Sequence, residues 1–366
     1  MELHVSEGLR EGFTTGSCAA AAAQASALRL TTGRCPAQVR IVAPVGKELT
    51  LDIVEYAFPA CGVVKDAGDD PDATDGMTVI SSVELGDGDG PIAFKAGPGV
   101  GTVTLPGLKI PVGEAAVNPV PRRMIEEALR AVIGPRRACV TISIPGGEEK
   151  AARTFNPRLG IAGGLSVLGT TGIVKPYNVE SVYASFSLEL NTFASSGLKC
   201  VGLCFGNSGE KAMRRVWNIG GRVIMHTGNY IGFVLDEALR LKIERALICG
   251  HPGKLLKVAA GTFDTYNRTG DGRREALCTQ AALAGAGREI VRKLYESTTT
   301  EVAMQIVREE KLDFLWTTLA EVTAKRCRER MFGELAVEAA FIDNEGHLLG
   351  ASSGAAAFAE ELAHAQ

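Results

Sequence analysis

The chain is 366 residues long, 46% hydrophobic and 22% charged, with a formal net charge of −3. That length exceeds a usual single core and implies two domains of a globular protein, while the near-balanced charge excludes a nucleic-acid binder that works through an overall positive field. No stretch approaches the ~20 apolar residues that span a bilayer, and Met1-Glu2-Leu3-His4 lacks the basic and apolar blocks of a secretory leader, so a cytoplasmic protein without membrane or nucleic-acid partners is expected.

Residues 12–27, GFTTGSCAAAAAQASA, run from a tight polar turn directly into alanines. Thr14, Thr15 and Ser17 are helix-entry residues whose side-chain oxygens accept from orphan N–H groups, and Gly16 lets the backbone or a ligand come close. From Cys18 onward the thin side chains form a strong helix suited to close packing. A helix start of this kind attracts anions; a capped, buried helix with no ligand is the plainer reading. Cys18 near a helix N-terminus would have a lowered thiol pKa, yet no histidine stands beside it and the alanines read as packing. The nine cysteines are odd in number, scattered and without a Cys-x-x-Cys, which suits reduced thiols better than disulfides or zinc.

Residues 39–42 and 49–54 read as strands joined by the Pro44-Val45-Gly46 turn. Residues 65–76, KDAGDDPDATDG, carry five carboxylates broken by Gly and Pro and must form a surface loop. A strand follows at 77–85. Gly97-Pro98-Gly99-Val100-Gly101 superficially resembles a dinucleotide turn, but an extended stretch and Pro106 follow it instead of a helix. Asn118-Pro119-Val120-Pro121 precedes a helix over 122–133, stopped by Gly134-Pro135, and 139–144 is another strand. This mixture predicts an α+β domain over 1–155. The glycine-rich passage 156–176, in which Thr170-Thr171-Gly172 echoes Thr14-Thr15-Gly16, reads as the connection where two domains meet.

After a helix at 181–193 the period becomes strand, loop, helix. Strands at 199–205, 222–225 and 246–249 end in Gly206-Asn207-Ser208-Gly209-Glu210, His226-Thr227-Gly228-Asn229 and Gly250-His251-Pro252-Gly253-Lys254, each followed by a helix. This predicts an α/β, Rossmann-like domain with a parallel sheet over 156–366 and a ligand site along its carboxyl edge. A helical tail at 275–331 and a strand or hairpin at 335–350 complete it. The three loops offer Asn207, Ser208, Glu210, His226, Thr227, Asn229, His251 and Lys254, a set that can hold a ribose, an amino-acid end and an anionic group. The Gly250–Lys254 loop is too short for a P-loop and lacks the following Ser or Thr. Glu210 is equally readable as a first-turn acid satisfying the helix dipole, and Lys254 as part of a solvated helix face.

Taken together, GFTTGSCAAAAA (12–23), KDAGDDPDATDG (65–76), GPGVGTVTLPGL (97–108), NPVPRRMI (118–125), NPRLGIAGGLSVLGTTGIVKP (156–176) and GHPGKLLKVAAGTF (250–263) resemble the cobalt-precorrin-5B C1-methyltransferases of anaerobic cobalamin biosynthesis, in order and over nearly the whole chain. The resemblance implies methyl transfer from S-adenosylmethionine to ring carbon C1 of a cobalt-containing, ring-contracted tetrapyrrole, giving cobalt-precorrin-6A. Cobalt then arrives inside the substrate, with no protein metal site, and a homo-oligomer is compatible with the family. The chain departs from the family pattern at Asp75 and across 263–267, where histidines are expected.

On that footing the donor is expected at Gly206, Asn207, Gly209, Glu210, Thr227 and Asn229. The acetate and propionate groups of the macrocycle are expected on Arg122, Arg123, Arg158, Lys175 and Lys254, with Thr170, Thr171, His251 and the turn of Thr14, Thr15, Gly16 and Ser17 as further partners. Asp66, Asp69, Asp70 or Asp72 would repel a polyanion and so should face the cationic donor or act as a base. A small-molecule kinase and a non-catalytic tetrapyrrole carrier are the competing readings. The missing phosphate motif weighs against the first and the glycine turns of the second domain against the other.

Overall fold

A computed structural model describes residues 9–365 except 153, 155, 158, 177 and 178. The chain divides into two compact units, Met1–Ser185 and Phe186–Gln366.

In the first unit, helix α1 (Thr15–Thr32) has 13 of its 18 residues buried, including all five alanines from Ala19 to Ala23. A helix apolar on every side belongs inside a core, and methyl-sized side chains let neighbouring backbones approach its own. Ser81 Oγ donates to Ala19 O at 3.0 Å and Val83 N to Ser26 Oγ at 3.0 Å. Gly33, left-handed at φ 74°, ends the helix by donating to Arg29 O.

A hairpin, β1 (Gln38–Val42) and β2 (Glu48–Asp52), follows. The main sheet comprises β3 (Val54–Glu55), β4 (Cys61–Val64), β5 (Thr78–Asp89), β6 (Ile92–Ala96) and β7 (Arg136–Ser143), in the order β3-β4-β5-β7-β6. Alternate residues Val79, Ser81 and Val83 of β5 and Ala138, Val140 and Ile142 of β7 point into the core, the period of a half-buried sheet. Helix α2 (Pro119–Ile133) buries Met124, Ile125, Leu129 and Ile133. It begins three residues before the expected Arg122 because proline is tolerated where helix amides have no partner anyway. A short helix α3 (Gly147–Ala151) follows.

The passage 156–176, placed by the sequence at the start of the second domain, pairs inside the first unit. Gly164–Leu165 lies parallel to Gly99–Val100, Ile161–Ala162 antiparallel to Thr102–Val103, and Ile173–Val174 antiparallel to Gly12–Phe13. These are backbone contacts without intervening side chains. A Cβ on Gly99, itself at φ 78°, would lie 1.8 Å from Ile144 O, and one on Gly164 would lie 2.4 Å from Gly99 O. Glycine here serves close approach, not flexibility.

Helix α4 (Val179–Ser195) leads to the second unit's sheet. Its strands are β8 (Cys200–Cys204), β9 (Ile224–His226), β10 (Arg245–Gly250), β11 (Ala336–Ile342) and β12 (Leu348–Ala351), ordered β9-β8-β10-β11-β12. The first four are parallel, and β12 runs antiparallel to β11. Helices α5 (Asn207–Trp217), α6 (Ile231–Arg240) and α7 (Pro252–Ala259) follow the first three strands. The expected strand at 222–225 starts later because Gly221–Val223 forms a short 3-10 turn. The helical tail is four helices, α8 (Arg273–Leu283), α9 (Arg288–Glu296), α10 (Thr300–Glu309) and α11 (Leu315–Arg330). A last helix, α12 (Ala355–His364), was not expected from the sequence; its Ala355, Ala359 and Leu362 cover the sheet core. No helix among the described residues is long and apolar enough to cross a membrane.

Ala21, fully buried on α1, has no room for a longer side chain. Ala21→Leu is expected to destabilise the first unit by about 1–3 kcal/mol, read as a lower midpoint in thermal unfolding followed by circular dichroism; an unchanged midpoint would contradict the packing.

Candidate functional site

The polar turn that opens α1 is closed by its own chain. Thr14 Oγ1 accepts from Ser17 N at 3.2 Å, Ser17 Oγ donates to Gly172 O at 2.7 Å, and Thr15 Oγ1 donates to Leu168 O and accepts from Leu168 N. Gly16 N donates to Leu168 O at 3.0 Å. Thr14, Thr15 and Ser17 are 5%, 3% and 0% exposed, so the groups expected to take a substrate carboxylate are buried and engaged by residues 168–172. Cys18 is buried and desolvation pushes its thiol up to about 12, the opposite of an activated nucleophile.

The acidic loop is similarly knitted. Asp66 pairs with Arg10 and accepts from Gly68 N, and Asp69 accepts from Arg10 N at 2.7 Å. Asp75 Oδ1 accepts from Ala67 N at 2.8 Å. Asp72 accepts from Lys65 Nζ at 2.5 Å and from the amide and hydroxyl of Thr74. Burial pushes the Asp72 carboxyl up, but the Lys65 ammonium and the Thr74 bonds outweigh it and hold the group below the usual carboxylate range. Held ionised in this way, Asp72 makes a weak base. Asp70 is also engaged.

Among the expected partners for the macrocycle, Arg122 is taken up locally: its guanidinium reaches Val117 O, Ala115 O and Glu114 and lies over the Phe94 ring. Thr171 Oγ1 bonds within its own turn, to Ile173. Arg123, Thr170 and Lys175 are exposed. Arg158 lies outside the described residues.

The second unit gathers more of its expected residues. Strand order reverses about β8, with β9 on one side and β10 on the other, so the loops leaving β8 and β10 diverge and open a crevice at the carboxyl edge. A cavity of about 340 Å³ lies there, lined by Phe205, Gly206, Ser208, Gly209, Gly250, His251, Gly253, Lys254 and Asn344. That volume falls within the ~300–1,000 Å³ of small-molecule sites. Helices α5 and α7 both begin at this cavity, and their positive dipole ends favour negative charge. Gly209 is required by packing, since a Cβ there would meet Cys204 Cβ at 2.6 Å.

His251 caps α7: its Nδ1 accepts from Gly253 N at 3.1 Å, which leaves the proton on Nε2. Burial lowers the imidazole pKa and keeps it neutral. Nε2 is a buried donor with no hydrogen-bond partner among the described residues. Lys254 Nζ donates to Asn229 Oδ1, and its pKa is lowered by burial first and by Lys257 second.

Other expected donor contacts are engaged elsewhere. Glu210 binds Arg214 through Oε1 at 2.7 Å and His226 Nε2 through Oε2 at 2.6 Å. Thr227 is fully buried, its amide donating to Cys204 O at 2.7 Å, and Asn207 is exposed and does not line the cavity. Sequence reasoning missed Asn344, which comes from the β11–β12 turn; only the pairing of β11 beside β10 brings that turn to the crevice. In the same turn Asp343, Glu345 and His347 cluster, but Asp343 closes the hairpin by accepting from Glu345 N, His347 N and His347 Nδ1.

Asp72→Asn would leave the Lys65 ammonium, 1% exposed, without its carboxylate, at a cost of about 3–5 kcal/mol. Because the folded pKa of Asp72 is lowered, the parent chain holds this stabilisation above the ordinary value of 3.8 and loses it as pH falls through the folded value. The variant is therefore expected to unfold at lower denaturant concentration at pH 7 and to show a flatter acid limb; equal midpoints at pH 7 would refute the assignment.

Two family models match the chain, one described as CbiD over residues 2–176 and one as CbiD, C-terminal domain, over residues 264–353. Curated relatives named cobalt-precorrin-5B C(1)-methyltransferase include those of Alkaliphilus metalliredigens, 40% identical over 97% of this chain and 95% of its own length, and Photorhabdus laumondii, 42% identical over 90% and 88%. The Moorella thermoacetica relative is 40% identical over 93% and 94%. A crystal structure of a cobalamin biosynthesis protein (cbiD) from Archaeoglobus fulgidus is 28% identical, covers 73% of this chain and 84% of that one, and superposes with a TM-score of 0.39. On these matches to both halves of the chain and to relatives of the same length, the chain belongs to the CbiD family of cobalt-precorrin-5B C(1)-methyltransferases.

Proposed function

We infer that the chain is the methyltransferase that adds a methyl group to C1 of cobalt-precorrin-5B, giving cobalt-precorrin-6A, in cobalamin biosynthesis. Identity of 40% to a relative with that name, over 97% of this chain and 95% of the relative, carries this reading. Cobalt belongs to the substrate. S-adenosylmethionine supplies a sulfonium-activated methyl group, so the protein's part is to align a donor and an electron-rich carbon and to keep water away.

The donor site, on our reading, is the cavity at the carboxyl edge of the second unit, which we take to be Rossmann-like from the parallel order β9-β8-β10-β11. The single observation that supports it is the His251 Nε2–H, a buried neutral donor left without an acceptor beside a cavity of about 340 Å³. A ribose hydroxyl, an adenine nitrogen or a carboxylate would complete it. Gly206, Gly209, Gly250 and Gly253 present backbone without side chains around the same space. Exposed Arg123, Thr170 and Lys175 on the first unit are our candidates for the carboxylates of the macrocycle.

Purified protein given cobalt-precorrin-5B and S-adenosylmethionine without oxygen is expected to form one equivalent of S-adenosylhomocysteine per methylated product; no product would end the functional reading. His251→Asn keeps an oxygen to cap α7 while removing the Nε2–H. It is expected to weaken S-adenosylhomocysteine binding roughly two- to tenfold in calorimetric titration, and unchanged affinity would remove His251 from the donor site.

A further inference from the structure

Two ammonium groups converge on one carbonyl, and one of them, Lys254, lines the cavity. Thr265 O accepts from Lys257 Nζ at 3.2 Å and from Lys254 Nζ at 3.4 Å. Lys257, 1% exposed, directs its other hydrogens to Asn267 Oδ1 at 2.9 Å and Gly270 O at 3.1 Å. All three of its donors are therefore matched by neutral oxygens. Lys254 differs. It bonds Asn229 Oδ1 and Thr265 O, and its third N–H has no acceptor among the described residues.

Nearby charge does not complete it. Asp271 is held by Arg273 through Nε at 2.6 Å and Nη2 at 2.8 Å, and Asp264 accepts from Tyr266 N and Thr269 Oγ1. Neither carboxylate touches Lys254 or Lys257. Two partly desolvated cations thus sit together without a contacting anion, an arrangement that costs stability unless an anion joins it. Lys254 lines the cavity and stands in the first turn of α7, whose dipole adds to the positive field.

We propose that Lys254 binds a carboxylate in this cavity, and that the carboxylate belongs to the amino-acid arm of the methyl donor. This rests on the donor-site reading above. It reassigns Lys254 from the macrocycle, where the sequence had put it, to the donor. The size of the cavity supports the donor arm: about 340 Å³ is on the scale of a nucleoside with a short arm, whereas a tetrapyrrole could offer only one side chain to it. The glycine turns and His251 would then meet the nucleoside part, and the Lys254 ammonium the charged end.

Two ligands separate the outcomes. S-adenosylhomocysteine carries the amino-acid arm; 5′-methylthioadenosine has the same thioether nucleoside without it. Lys254→Met is expected to lower affinity for the first about ten- to hundredfold and to leave the second unchanged within about twofold, with Lys254→Gln intermediate and both variants folded by circular dichroism. An equal loss for both ligands would overturn the carboxylate assignment while leaving the donor site in place. Unchanged affinity for both, with a raised KM for the macrocycle, would return Lys254 to that substrate and overturn the proposal. If His251→Asn also leaves both affinities unchanged, the donor-site reading itself fails.

Discussion

Ser17 Oγ donates to Gly172 O and Gly16 N to Leu168 O at the mouth of a helix that continues through five buried alanines, Ala19 to Ala23. This contact sets the first unit. Alanines on every face of α1 let β5 reach the helix backbone from one side and α2 pack on it from another, so that the helix serves as a core and not as a presenting surface. Glycines at 99, 164, 169 and 172 belong to the same constraint, because each faces atoms that a Cβ would strike. A helix start that looks made for an anion on paper is filled by the protein's own carbonyls.

The second unit solves a different problem. Strands β8 and β10 are buried along nearly all their length and read as continuous apolar runs. With β9 placed on the opposite side of β8, consecutive loops part, and the space between them is where glycine turns and helix N-termini meet. The antiparallel β12 adds the turn that brings Asn344 to the rim.

Buried lysines mark the contrast in electrostatics. Lys65 sits against Asp72, a matched pair that closes a loop and leaves little for chemistry. Lys257 sits among neutral oxygens, with Lys254 beside it and no carboxylate in contact. A paired cation stabilises its own surroundings, whereas two cations with no carboxylate in contact favour an incoming anion. The charge pattern therefore draws attention to the carboxyl edge and away from the acidic loop that is more conspicuous in the sequence.

Periodicity was enough to read the alternation in β5 and β7, the amphipathic stripe of α2, and the strand-loop-helix succession from residue 199, because local side-chain spacing reports which face is buried. Motif order was enough to read the family. Neither revealed that residues 156–176 pair with strands of the first unit, that Thr14, Thr15 and Ser17 face Leu168 and Gly172, or that α12 closes the second core, since each depends on partners distant in the sequence. Nor did they separate Gly206, His251 and Lys254 at the cavity from Thr227 and Asn207 outside it. Residue type states which hydrogen bonds and charges a side chain can offer; only the folded chain decides which of those offers its own backbone has already accepted.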